Sequence, residues 1–540
     1  MGSMDDTMQT RVDAIVVGAG FGGIYMCKKL TDQGLSVKLI EAASDVGGTW
    51  YWNRYPGAMS DTNSHLYRYS WDKEDLQKCP WSRTYLRQPE ILRYLQDVVE
   101  RHRIRQHMQF DTQMTSAEWN PEINSWTVKT NAALRFEAKY LVTAVGLLSK
   151  KNYPSYPGIE TYKGELYHSG AWPKQYDLSG KRVGVIGNGS TGVQIITAIA
   201  DDVKRLISFQ RTPQYVVPSG DKIATPDYRD KINADYEAIW KQAKESVFAF
   251  GFEESTTPLM SVSKEERERI FENAWNEGNG FRFMFGTFSD IVTSEEANEA
   301  AAQFIRTKIR GRVNDPEKAR RLLPKEIYAK RPLCDTEYYE KFNSDHVDII
   351  DLNETPITEF TEKGIKTDDG TEHDLDAIIF ATGFDAVDGN YTSIPFKGKN
   401  GQTLRQRWSD GATSYLGLSV PDFPNLFMIL GPNGPFTNLP PSIETQVEFI
   451  DELIAQSIRS SSGQGRYSII EATSNAEHEW TDLCDNISKD SLFRRSDSWI
   501  FGANVPGKKK SVLFYFGGLG EYRKVLDAEA KSGYKGYSFY

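Results

Sequence analysis

The sequence predicts an α/β protein built on two Rossmann-like dinucleotide-binding units with a helical insertion, and three observations carry that prediction. Gly18-Ala19-Gly20-Phe21-Gly22-Gly23 follows an apolar run, Gly187-Asn188-Gly189-Ser190-Thr191-Gly192 repeats the arrangement, and residues 221–327 turn to apolar residues at helical spacing. At 540 residues the chain exceeds a single core and should divide into roughly two to four lobes.

In the first unit, residues 12–17 read as a buried strand that enters the glycine loop, residues 24–33 as a helix, and residues 36–40 as a second strand ending at Glu41. Gly18 permits the tight turn, Gly20 lets a pyrophosphate approach the backbone, and Gly23 lets helix and strand pack closely. The helix start then offers unpaired N–H groups to phosphate. Glu41 stands where a carboxylate can accept hydrogen bonds from ribose hydroxyls. One such loop alone is a weak signal; strand, loop, helix, strand and acid in order are a strong one.

The second unit repeats the scheme. Residues 181–186 form the strand, Gly187, Gly189 and Gly192 the loop, residues 193–200 the helix, and residues 205–209 the next strand, which ends in Gln210-Arg211-Thr212. Arg211 holds the place that Glu41 holds in the first unit. A carboxylate there repels a 2′-phosphate, whereas a guanidinium forks onto it. The first site therefore suits a dinucleotide with free ribose hydroxyls and the second suits NADP. A protein with both is most simply a flavin enzyme reduced by NADPH.

In the insertion, Ile232, Tyr236, Ile239, Trp240, Ala243 and Val247 recur at helical spacing, and Asp315-Pro316-Glu317 opens a helix with a cap and an early proline. Such a stripe predicts packing on the NADP lobe, with a contribution to a substrate tunnel. The net charge of −10 excludes a phosphate-binding surface for nucleic acid. No segment reaches the roughly 18 apolar residues of a membrane span, and the first apolar stretch runs straight into glycines, unlike a signal peptide. Cys27, Cys79, Cys334 and Cys484 form no CxxC and read as reduced thiols of a cytoplasmic protein. No metal site is predicted.

Two longer motifs flank these units. Gly47-Gly48-Thr49-Trp50-Tyr51-Trp52-Asn53-Arg54-Tyr55-Pro56-Gly57-Ala58-Met59-Ser60-Asp61 follows the first, and Tyr162-Lys163-Gly164-Glu165-Leu166-Tyr167-His168-Ser169-Gly170-Ala171-Trp172-Pro173 precedes the second. Both resemble the fingerprints of the type I Baeyer–Villiger monooxygenases, the second departing only in having Tyr162 for the usual Phe. The likeness continues through residues 380–385, 431–435 and 499–508, and covers roughly residues 10 to 515. Disulfide reductases share the glycine loop but would need cysteines where this chain has Trp50 and Tyr55. Flavin-containing N- and S-oxygenases usually lack the Trp172-Pro173 ending.

The resemblance implies FAD and NADPH as cofactors and a ketone and O2 as substrates. It implies ester or lactone formation through a C4a-peroxyflavin and a Criegee intermediate. Arg331 is the implied catalytic cation, because an anion beside a flavin needs a fixed positive charge. Asp61 is its implied catalytic partner, and Lys330 reaches toward the 2′-phosphate. Thr49, Trp50, Trp52, Tyr67 and Met114, with Phe21 in the loop, are implied at the flavin, with Trp50, Tyr51 and Trp52 walling it. Ser190, Thr191 and Thr212 are implied at NADP, and Trp499 on a loop closing over the nicotinamide. His168 is expected to position rather than catalyse. Motif order places the FAD domain at 10–148 and 384–540, the NADP domain at 152–220 and 328–383, and the insertion at 221–327. The oligomeric state is not legible, and a monomer is compatible with this arrangement. An N- or S-oxygenase, an NADPH oxidase releasing H2O2, and a non-enzymatic NADPH sensor remain as alternatives, and the ketone itself is not legible.

Overall fold

The computed structural model describes residues 9–78, 80–461 and 469–540. Residues 14–17 are almost wholly apolar and buried on both faces, as a strand inside a covered parallel sheet must be. They belong to the strand Gln9–Val17, which pairs in parallel with Val37–Ile40 on one side and Arg135–Thr143 on the other. That sheet has eight strands. Met114–Asn120 and Ser125–Thr130 extend it antiparallel. The late strand Leu426–Met428 lies parallel along Leu141, Val142 and Thr143, and Phe396–Lys397 edges Ala117 and Glu118.

The C-terminal chain thus returns to the first sheet. Its long helix Leu439–Ser461 packs on the helix Phe21–Asp32, where Lys29 pairs with Asp451 at 2.8 Å and the Tyr25 hydroxyl donates to Glu448 at 3.3 Å.

A second sheet is wholly parallel, in the order Val347–Asp351, Arg205–Gln210, Arg182–Ile186, Ala377–Phe380, Glu165–His168. A small antiparallel meander over residues 357–374 covers one of its faces. There Phe360, Ile365 and Leu375 pack against Ile207, Phe209 and Ile378. Tyr162 joins that cluster, and its hydroxyl donates to the Leu375 carbonyl at 3.0 Å. The tyrosine keeps the ring and finds a buried partner for its oxygen.

Six helices fill the insertion, from Pro226–Ala234 to Pro316–Leu322. The last starts as the sequence predicts: Asp315 accepts from the N–H groups of Glu317 (2.7 Å) and Lys318 (3.0 Å), with proline first. The apolar stripe belongs to two helices, because the chain breaks at Asp235. Tyr236, Trp240 and Ala243 are buried, whereas Val247 lies past the helix end and is 38% exposed.

The insertion also reaches further than the NADP-side sheet on which it was expected to pack. Asn438, in the C-terminal segment, donates from its backbone to Phe248 (2.8 Å) and from its side chain to Ala249 (2.9 Å), and Lys244 pairs with the buried Glu444 at 3.3 Å.

No helix among the described residues is long and apolar enough to cross a membrane. Cys27, Cys334 and Cys484 are buried free thiols, and Cys79 lies outside the described residues.

Candidate active site

The two glycine loops are built alike. Gly18 and Gly187 have φ of +102° and +99°, and a Cβ on either would stand 2.5 Å from a carbonyl oxygen, of Ala144 and Ala381 respectively. A Cβ on Gly23 or Gly192 would meet the Gly18 or Gly187 oxygen at 1.7 or 2.2 Å. Those four glycines serve the fold.

The middle ones do not. A Cβ on Gly20 would make only ordinary contact, at 3.5 Å, and a Cβ on Gly189 would meet nothing within 4 Å. Both precede helices whose first turns have no side-chain cap. Open space before uncapped N–H groups is what a pyrophosphate requires, so the residues present fit two dinucleotides. Glu41 is buried at the first loop, its Oε2 accepting from Ala19 N–H (2.6 Å) and its Oε1 from Ala43 N–H (2.8 Å). Burial pushes its carboxyl above the usual carboxylate range against those two donors.

Against the second glycine loop opens a cavity of about 790 Å3. Its wall draws Thr49, Trp50, Asp61 and Tyr67 from the first sheet's side and Gly187, Gly189, Ser190, Thr191, Arg211 and Thr212 from the second. Lys330 and Arg331 enter between them, and Phe250, Phe281, Phe436 and Trp499 close an apolar end. Arg331 and Asp61, far apart in sequence, form an ion pair through Nη2 and Oδ2, with the guanidinium 5.3 Å above the Phe281 ring. Lys330 pairs with Glu326 at 2.6 Å. Arg211 is exposed and has no ion-pair partner among the described residues.

Trp50 donates from Nε1 to the Tyr67 hydroxyl at 3.3 Å, and Tyr67 meets Phe21 edge-on at 5.4 Å. Tyr55 donates to Gln194 at 2.9 Å, and burial pushes its hydroxyl up to about 12. Trp499 sits in a tight turn on a loop pegged at two points. Asn504 donates to the Phe384 carbonyl at 2.8 Å, and Lys508 pairs with Asp385 and Asp388.

One placement differs from expectation. Trp50, Tyr51 and Trp52 do not wall one cavity. They occupy a single helical turn, where successive side chains diverge by about 100°. Trp50 faces in, Tyr51 hydrogen-bonds Ser44 at 2.6 Å, and Trp52 is 39% exposed. Met114 is buried at the start of its strand and, like the first glycine loop and Glu41, is not among the residues lining this cavity. His168, expected to position rather than catalyse, also lines no part of it and sits between Tyr153 and Phe384, with Nδ1 accepting from Gly170 N–H at 3.0 Å. Asn279 and the Tyr55–Gln194 pair are absent from the sequence reading. For Asn279 a signal existed, because Gly278-Asn279-Gly280 punctuates a helical stretch.

Burial pushes His65 and His168 down to about 4, so both are neutral in the fold. In the unfolded chain they titrate near the ordinary histidine value of 6.5. The unfolded state therefore takes up protons first, and stability is lost as pH falls from 6.5 to 4. Asp335, pushed up to about 7 by burial, acts with the opposite sign, so the comparison must be between variants. Relative to the parent, His65→Phe is expected to resist acid by up to about 3 kcal/mol between pH 7 and pH 4 in urea unfolding. Parallel pH profiles for the two proteins would refute this.

A family model described as flavin-binding monooxygenase-like matches residues 11–226. A Baeyer-Villiger monooxygenase of Pseudooceanicola batsensis is 53% identical over 98% of this chain and 96% of its own. Phenazine N-monooxygenase PhzNO1 of Lysobacter antibioticus is 49% identical, covering 99% of this chain and 98% of its own. The crystal structure of cyclohexanone monooxygenase from Rhodococcus sp. Phi1 bound to NADP+ superposes with a TM-score of 0.96 at 55% identity, covering 98% of this chain and 99% of that one.

Proposed function

The chain belongs to the Baeyer–Villiger monooxygenases, and from that premise we propose that it oxidises small cyclic ketones to lactones at the cavity where Arg331 meets Asp61. One oxygen atom enters between the carbonyl carbon and its neighbour, the other leaves as water, and NADPH provides the two electrons. When bound, FAD reduced by NADPH and met by O2 supplies the oxygen nucleophile. The observation that carries the reading is the Arg331–Asp61 ion pair in a cavity lined by the second glycine loop and by Thr49, Trp50 and Tyr67 of the first unit.

Each residue then has a physical task. Arg331 presents a guanidinium that stays protonated to the anionic oxygen, and Asp61 orients its fork and offsets its charge. Arg211 and Lys330 hold the 2′-phosphate. Ser190 and Thr191, at the start of their helix, direct N–H groups at the NADP pyrophosphate, while Gly20 leaves room for FAD, Gly23 keeps the loop and helix close, and Glu41 serves the FAD ribose. Trp50 and Tyr67 bound the flavin side. Phe250, Phe281 and Phe436 give an apolar wall suited to a carbocyclic ring, and Trp499 excludes water. We assign residues 10–148 and 384–540 to the FAD domain, 152–220 and 328–383 to the NADP domain, and 221–327 to the insertion. All the groups assigned here belong to one chain, and the buried free thiols Cys27, Cys334 and Cys484 suit the cytoplasm.

The test is a panel of cyclic, linear and aryl ketones, with phenazine as an aromatic N-heterocycle, supplied with NADPH and O2. NADPH loss, ester or lactone, N-oxide and H2O2 are all read. Lactone equimolar with NADPH is expected from at least one cyclic ketone. Peroxide alone would make the protein an NADPH oxidase, and N-oxide without lactone would make it an N-oxygenase.

A further inference from the structure

Asp61 is held by more than its carboxylate. Its backbone carbonyl accepts a 2.7 Å hydrogen bond from the side-chain amide of Asn279, in the helical insertion. Asn279 is buried, and every polar group it has is engaged. Its Oδ1 accepts from the N–H groups of Phe281 (3.0 Å) and Arg282 (3.1 Å), capping the short helix Gly280–Phe285. Its Nδ2 also reaches the Tyr85 hydroxyl at 3.3 Å. Its own N–H donates to Pro218 at 2.8 Å, and its carbonyl accepts from Phe283 at 3.0 Å.

The backbone of Asn279 lies at φ +79°, ψ 121°, a conformation that residues with a Cβ rarely adopt. Capping does not demand it. Thr225, Ser263, Ser294 and Asp315 cap other helices of the insertion with ordinary negative φ. What distinguishes an asparagine is that one side chain accepts at a helix start and donates elsewhere at the same time. Here the donation goes to Asp61, and the capped helix carries Phe281, the ring beneath Arg331, in its first turn.

We propose that Asn279 is a positioning residue for the Arg331–Asp61 pair: the side chain of this one residue, held on a strained backbone, ties the backbone of the acid to the helix that carries the ring under the guanidinium. The proposal rests on that pair acting in oxygen transfer. Loss of the tie lets Asp61 and Phe281 move independently, and the guanidinium loses its aim at the reacting oxygen.

Three variants test it. Asn279→Asp keeps the cap acceptor and sets a carboxylate against the Asp61 carbonyl. Asn279→Gly removes both contacts but relieves the positive φ, which protects folding. Ser294→Ala removes the cap of the helix Glu295–Arg312, whose Oγ accepts from Ala297 at 3.3 Å, and leaves Asp61 untouched. Melting temperature, FAD content, Kd for NADP+, and lactone and H2O2 per NADPH are measured for each.

Both Asn279 variants are expected to keep FAD and bind NADP+ within about twofold of the parent. Their lactone per NADPH should fall about tenfold, with peroxide making up the difference. Ser294→Ala should lower the melting temperature and leave the ratio unchanged. A parental ratio in Asn279→Gly, or an equal loss in Ser294→Ala, would overturn the proposal while lactone formation by the parent stands. A parent that makes no lactone from any ketone overturns the activity and this proposal together.

Discussion

Arg331→Ala is expected to retain FAD, to oxidise NADPH, and to lose ester or lactone formation by about 100- to 1000-fold, the range for removing one preorganised donor from an oxyanion site. Among the residues lining the cavity the cations are Arg211, Lys330 and Arg331. Lys330 is already paired with Glu326, and Arg211 belongs to the strand end after the second glycine loop. Neither can replace a guanidinium fixed by Asp61 and Phe281.

The loss has two parts. The anionic oxygen loses its counter-charge, and Asp61 is left as an unpaired carboxylate that repels it. Arg331→Lys restores charge without the planar fork and should recover only part of the activity. If the two residues act as a unit, Arg331→Ala combined with Asp61→Ala should be no worse than Arg331→Ala alone. Product and H2O2 are quantified per NADPH consumed. Parental lactone yield from Arg331→Ala would remove the guanidinium from the mechanism.

The parts of this arrangement that are local in sequence are the parts that could be read from it. Glycine spacing, a following helix and a terminal Glu41 or Arg211 lie within one βαβ unit, and chain geometry forces them into one place. The Asp315 cap is legible for the same reason. The Arg331–Asp61 pair is not local, and its partners were matched only through family motifs.

Trp52 shows the reverse failure. A run of three aromatic residues suggests one wall, but a helical turn sends them in different directions. Asn279 escaped because its task depends on a carbonyl from a distant loop, and nothing in Gly278-Asn279-Gly280 names that loop. The insertion's contacts with both lobes were hidden likewise, since a helical stripe reveals which face is apolar and not what covers it.

Gly189→Ala is expected to raise the Kd for NADPH by about 10- to 100-fold, a cost of about 1.4–2.8 kcal/mol, while the melting temperature without nucleotide and the FAD content stay parental. The reason is geometric. Gly189 has φ of −68°, which alanine adopts freely, and its Cβ would meet no protein atom within 4 Å. The chain therefore has no need of glycine there, and the space matters only to what binds.

Gly192→Ala provides the contrast. Its Cβ would lie 2.2 Å from the Gly187 oxygen, a backbone atom that cannot yield without opening the turn. That variant should lose both NADPH affinity and thermal stability. The pair thus separates two roles of one motif, room for a ligand and closeness of helix to strand. Should Gly189→Ala bind NADPH as tightly as the parent, the pyrophosphate does not approach the backbone at this loop. The second dinucleotide site would then have to lie elsewhere, and with it the electron source for the chemistry at Arg331.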